Sequence, residues 1–147
     1  GTLTWRQSRT YHDASTLFRT TIARNPACWM ACNNLGKEFL ANPAQISAAI
    51  PLFERALQLR PDYAEAESNL GLALTQTGRP REAIPHLEKS LRLKPGLYQT
   101  HNNLGIALAS AGRAQEALAA FAEAARLNPY LPNIQENWGK ALLLLDR

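Results

Sequence analysis

Asn103-Leu104-Gly105 lies near the start of the run NNLGIALASAGRAQEALAAFAEAARLNP, residues 102–129. The same triplet stands at Asn34-Leu35-Gly36 and Asn69-Leu70-Gly71, and a variant, Asn137-Trp138-Gly139, follows. Successive asparagines are 35, 34 and 34 residues apart. Pro26, Pro61, Pro95 and Pro129 keep the same 35, 34, 34 spacing. A period of this size is the mark of a repeat architecture, in which one supersecondary unit is used several times. Between the prolines, apolar residues recur at three- and four-residue intervals, so the unit is a helical hairpin. Each proline closes one unit and opens the next, because proline fits a first helical turn and disrupts an interior.

Composition sets the outer bounds. A chain of 147 residues, 46% hydrophobic, is globular in character. A repeat array of this length has no single central core; each unit buries its apolar face on its neighbours. Sixteen basic and twelve acidic residues leave a net charge of +4, with the two signs interspersed. No Lys/Arg block offers a footprint for nucleic acid. No run approaches the roughly 18 apolar residues of a membrane span, and no secretory leader is legible, so direct membrane insertion is not expected. The opening Gly1-Thr2 reads as a cut from a longer parent chain. Cys28 and Cys32, four apart, share one helical face. They read as thiols packed in an apolar seam, since free cysteine behaves as a small hydrophobe.

Taken in order, residues 1–26 read as a partial repeat, with a helix remnant around Trp5 and a helix through Arg24 carrying Ala14, Leu17, Phe18 and Ile22 on one stripe. Residues 27–61 form a first hairpin, with helices over about 27–41 and 44–59 broken at Asn42-Pro43. The extra residue of this unit is expected in the Asn42 to Ile46 turn. Residues 62–95 form a second hairpin turning at Gly78-Arg79-Pro80, and residues 96–129 a third turning at Gly112. Residues 130–147 supply a final helix. Gly at such helix ends favours the left-handed conformation. Pro51 and Pro85 fall early in second helices, where a mild kink and an outward-facing ring are expected.

The order Leu70-Gly71, Leu74, Gly78, Ala83, Leu87, Pro95, repeated as Leu104-Gly105, Leu108, Gly112, Ala117, Phe121, Ala124, Pro129, resembles the tetratricopeptide repeat (TPR). The resemblance covers about residues 10–147. It implies an all-α fold, a right-handed α-solenoid of stacked antiparallel hairpins, as a single array. It also implies a concave groove lined by the first helix of each hairpin, and a non-catalytic protein-interaction role. Departures are the aromatic usual early in the first helix, replaced by Cys32, Glu67 and His101, and the late alanine of the second helix, replaced by Ser90. These weaken local packing.

Gly36, Gly71, Gly105 and Gly139 fall mid-helix, where Gly costs about 1 kcal/mol relative to Ala. A close crossing of two helices explains the choice, with Ala49, Ala83 and Ala117 as the matching small residues on the second helices.

Counting away from the buried Leu and Gly leaves the preceding asparagine toward the groove, giving a ladder of Asn34, Asn69, Asn103 and Asn137. Asn33, Ser68 and Asn102 stand beside it. An amide carries donors and an acceptor on one side chain. A column of them can hold an extended peptide backbone without reading its side chains. The ladder is similar to that of the repeat domain of O-linked N-acetylglucosamine transferases. The same amides can instead bond the neighbouring helix and set the pitch of the array. Further groove candidates are Lys37, Leu72, Ile106 and Lys140, with Met30, Glu65, Gln76, Gln99 and Glu136. Chaperone-binding members clamp a terminal carboxylate with Lys, Asn, Asn, then Lys and Arg. Here Lys37, Asn34 and Asn69 match in part, but Gln99 and Asn103 replace the last cations, which disfavours an acidic C-terminal tail as ligand.

Leu143 and Leu144 lack an evident cover on the last helix, where a terminal unit should be polar. Either the array continues in a parent chain or a homo-oligomer forms through this helix. No catalytic constellation is apparent: His12, His86 and His101 lie in different units without a recurring carboxylate or thiol partner, and no phosphate-cradling loop is present. No cofactor or metal is expected. The opening Thr4-Trp5-Arg6-Gln7-Ser8, Tyr11-His12-Asp13 and Asn25-Pro26 look similar to the junction before the repeats of multi-span membrane glycosyltransferases. That leaves a module of such an enzyme, or a self-associating scaffold, as alternatives to a peptide-binding module; the compartment stays open.

Overall fold

A computed structural model of the chain describes residues 14–131 and 133–146. The sequence readings on Thr4 to Ser8, Trp5 and His12 lie outside the described residues. Eight α-helices, one short 3-10 turn and no strand occur among the described residues. The chain forms two compact units, 1–61 and 62–147.

In the first unit, α1 (Ala14–Arg24), α2 (Trp29–Leu40) and α3 (Ile46–Leu59) follow one another. Helix α2 packs on both α1 and α3. The turn between α2 and α3 is a 3-10 turn over Pro43–Gln45, whose capping Asn42 accepts a hydrogen bond from the Ala44 N–H at 3.1 Å. This is the stretch where the extra residue was expected. The Arg60 guanidinium lies over the Trp29 ring, 4.5 Å from its centroid.

In the second unit, α4 (Ala64–Gln76), α5 (Pro80–Leu93), α6 (Tyr98–Ser110), α7 (Ala114–Leu127) and α8 (Ile134–Leu145) each pack on the next. In addition α4 touches α6, and α6 touches α8. First helices α4, α6 and α8 therefore lie side by side in one layer, and second helices α5 and α7 form the other. Both hairpin turns are Schellman caps. Gly78 and Gly112 take φ of +78° and +81°. The N–H of Arg79 reaches the Leu74 carbonyl and that of Arg113 the Leu108 carbonyl, each at 2.8 Å. This geometry satisfies carbonyls that the helix end would otherwise orphan.

Within each unit the apolar stripe of the second helices is buried. Ala49, Phe53 and Ala56 on α3, Ala83 and Leu87 on α5, and Ala117, Phe121 and Ala124 on α7 are buried. Pro51 and Pro85 are exposed within continuous helices. A Cβ placed on Gly36 would lie 2.6 Å from Phe53 Cε1, and one on Gly71 would lie 2.5 Å from Leu87 Cγ. On Gly105 it would come closer still to Phe121 Cε1. The expectation that small residues meet here is corrected: each glycine is a socket for the large side chain of the facing helix. The alanines at 49, 83 and 117 are buried one turn earlier. Gly139 is a second correction, because a Cβ there would meet nothing within 4 Å.

Two departures from the repeat pattern also do more than weaken packing. Ser90 is fully buried, and its hydroxyl donates to the Ala64 carbonyl at 2.8 Å, tying α5 to the start of α4. Glu67, 2% exposed, meets His86 Nδ1 at 2.6 Å and Lys89 Nζ at 2.5 Å.

Candidate functional site

The first-helix layer of the second unit presents two hollows. The first, about 470 Å³, is lined by Glu65, Ser68, Asn69 and Leu72 of α4, with Leu97, Gln99, Thr100 and Asn103 at and within α6. Residues 65, 68, 69 and 72 share one helical face by their three- and four-residue spacing. Thr100 Oγ1 donates to Ser68 Oγ at 2.8 Å, a buried bond that fixes α4 against α6. Glu65 is held by Lys94 at 2.5 Å.

The second hollow, about 380 Å³, is lined by Ile106, Ala109, Ser110, Phe121, Asn137, Lys140 and Leu144. Its walls are mainly apolar, with one amide and one ammonium among them. Helix α6 serves both hollows, giving Gln99 and Asn103 to one and Ile106 and Ser110 to the other. Lys140 lies 2.6 Å from Glu136 in an exposed i,i+4 pair, and its hydrogen bond holds the Glu136 carboxyl below its usual value.

The residues expected to line a groove thus separate into sets. Asn69, Leu72 and Asn103 share the first hollow, and Ile106, Asn137 and Lys140 share the second. All four ladder asparagines are half-buried. Asn137 Nδ2 donates to Asn102 Oδ1 at 3.1 Å, a bond from α8 to α6. Those two amides therefore join helices, as the pitch-setting alternative requires. Asn33 is 2% exposed and faces the interior, so its place as a groove residue is corrected. Asn34, exposed Lys37 and exposed Met30 lie on α2 in the first unit. Sequence reasoning missed Leu97 and Thr100, and it singled out Leu144 only as an uncovered residue of the last helix. Leu144 stands seven residues after Asn137, which would have placed it on the same face.

One polar cluster lies between α4 and α5. The expectation that His86 has no carboxylate partner is corrected by its bond to Glu67. Burial pushes the Glu67 carboxyl up, but hydrogen bonds from His86 and Lys89 outweigh it and leave the group below its ordinary value. The signal was Glu67 standing where the repeat usually has an aromatic, with two bases on the facing helix. His101, its counterpart one repeat later, donates from Nε2 to the Pro95 carbonyl at 2.9 Å. Cys28 and Cys32 are free thiols; Cys32 is buried, and that burial pushes its pKa up. Among the described residues no three His, Cys, Asp or Glu side chains gather as for a metal. None of the described helices is long and apolar enough to cross a membrane.

A family profile described as Tetratricopeptide repeat matches residues 44–98 and 76–132. Among solved structures, a MamA protein superposes with a TM-score of 0.80 at 20% identity, covering 96% of this chain and 76% of that one. A thermophilic TPR protein of Thermus thermophilus gives 0.73 at 22% identity, covering 94% and 75%. The O-GlcNAc transferase of Thermobaculum terrenum gives 0.74 at 27% identity over 81% of this chain, but over only 23% of that enzyme. No curated protein matches the chain. The fold is an all-α solenoid of helical hairpins.

Proposed function

Since the chain belongs to the tetratricopeptide repeat family, whose members are generally non-catalytic protein-interaction modules, we propose that it binds an extended peptide segment of a protein partner along α4, α6 and α8. The observation that carries this reading is the shared hollow of Asn69 and Asn103. Two half-buried amides one repeat apart offer donors and an acceptor to a peptide backbone. Leu72 and Ile106 sit three residues beyond each of them and supply apolar contact. Lys140 gives the far end of the face a cation, and Glu65 gives the near end an anion. Asn137 acts mainly as a strut through Asn102, so the load of backbone contact falls on the two central rungs. On the first unit, Asn34 offers an amide of the same kind. The O-GlcNAc transferase relative is matched over less than a quarter of its length, and its activity is not carried to this chain.

A peptide array followed by fluorescence polarisation tests the reading. Asn69→Ala with Asn103→Ala should weaken the selected peptide about five- to thirtyfold, the loss of one to two net hydrogen bonds of roughly 1 kcal/mol each. Circular dichroism of the double variant checks that the helices are retained. Undiminished affinity in the double variant would overturn the reading.

A further inference from the structure

The two hollows flank α6 on opposite sides and are offset along it. The first meets α6 at Gln99, Thr100 and Asn103, and the second at Ile106, Ala109 and Ser110. Both lie within the second unit, between first helices that touch each other. Their midpoints on α6 are about seven to eight residues apart, roughly 11 Å along the axis. Crossing from one flank of a helix to the other adds about 8–10 Å, the distance between packed helix axes. The straight path between the hollows is therefore oblique and roughly 14 Å long. An extended peptide covers it in about four residues, and side chains at that even spacing point to the same side of the chain.

The hollows differ in chemistry. Among the described residues, Glu65 is the charged side chain lining the first, and Asn69, Gln99 and Asn103 add carboxamides. That wall is rich in acceptors. Lys94 pairs with Glu65, but both partners are exposed, at 56% and 42%. Exposed pairs of this kind are weak, and a carboxylate accepts several hydrogen bonds, so a second cation can share or replace Lys94. The second hollow is walled mainly by Ile106, Ala109, Phe121 and Leu144, with Lys140 as its charged side chain. A cation placed there would lose water without gaining acceptors and would meet a like charge. An apolar side chain would gain from the same walls.

We infer that the partner segment carries a lysine or arginine and, about four residues away, a large apolar residue. The cation seats beside Glu65, and the apolar side chain seats between α6 and α8. The backbone crosses α6 obliquely between Asn103 and Ile106. Glu65, Ile106 and Lys140 therefore set specificity and register, whereas the asparagines hold backbone. The inference rests on the peptide-binding reading and adds to it which side chains the partner must present.

Fluorescence polarisation with labelled synthetic peptides tests it. The probes are Ser/Thr peptides holding a single Arg and a single Leu, with their separation varied in single steps. On the unaltered chain, binding should peak at a separation of about four residues and fall about fivefold one step to either side, where one side chain turns away. Glu65→Lys should weaken the best probe about tenfold, and exchanging the probe's Arg for Glu should restore binding to that variant alone. Ile106→Asp should weaken the same probe and favour one whose Leu is exchanged for Lys. Circular dichroism checks both variants, and the spacing series needs neither. Probes that weaken on Asn69→Ala with Asn103→Ala, yet show no preferred spacing or no charge exchange at Glu65, would overturn the register and leave the groove reading standing. Probes indifferent to the asparagine pair, or a series that does not bind at all, would remove the groove reading and the register with it.

Discussion

Gly105 and Gly139 occupy the same place in successive repeats, and their surroundings are opposite. The first lies under the Phe121 ring with no room for a methyl group; the second faces open space. Leu108 and Leu142, three residues further on, repeat the contrast at 4% and 47% exposure. A repeat position therefore has no fixed energetic meaning. It acquires one only when the facing helix supplies the complementary side chain. In α2, α4 and α6 the glycine is a receptor for Phe53, Leu87 and Phe121. In α8 the same residue merely lowers helix propensity.

The largest effect should come from trimming the leucines. Leu108→Ala removes a buried side chain and should lower unfolding free energy by about 2–5 kcal/mol, while Leu142→Ala should stay within about 0.5 kcal/mol in dilute solution. Equal losses in urea titrations would break the contrast. Next come the glycines. Gly105→Leu forces Phe121 from its seat and should cost about 1–3 kcal/mol; Gly139→Leu should be close to neutral or slightly stabilising, since it raises helix propensity. A Gly105→Leu chain that melts like the parent would show that the socket is not filled.

A smaller effect separates two other matched positions, Glu67 and His101. The first is buried and bonded across the hairpin to His86 and Lys89; the second is half-buried and bonds back to Pro95. Replacing His86 and Lys89 together by Ala leaves the Glu67 carboxylate without its donors and should destabilise by about 1–2 kcal/mol, because both partners are half-exposed and screened. Replacing His101 should change little. The Glu67 pKa is depressed on folding from an ordinary value of 4.5. Its contribution is therefore present above that value and is lost as pH falls through the folded pKa. The stability difference between parent and Glu67→Gln should shrink as pH falls below about 4.5. A difference that grows on acidification would reverse the assignment.

Much of the face that lines the candidate site was legible in the residue pattern, for reasons visible in particular side chains. Asn69 and Leu72 share a face because three residues make most of a helical turn, and the period carries that face to Asn103 and Ile106. Asn33 and Asn34 could not be told apart so easily. Adjacent helical residues point about a quarter-turn or more apart, and which of them is buried depends on where the next helix lies. Asn33 proved buried and Asn34 half-buried. Asn102, in the corresponding place one unit on from Ser68, was drawn into a bond with Asn137 because α8 lies alongside α6.

The sequence alone determined the hairpin, its period, its turns and the stripe that each helix buries. Those follow from local rules: helical periodicity, proline at a first turn, glycine at a left-handed cap. Only the tertiary structure decided which glycine is a filled socket, which asparagine is a strut, and how Glu67 is neutralised. Each of those depends on a side chain delivered from another helix, and a linear pattern states what a residue is without stating what will face it.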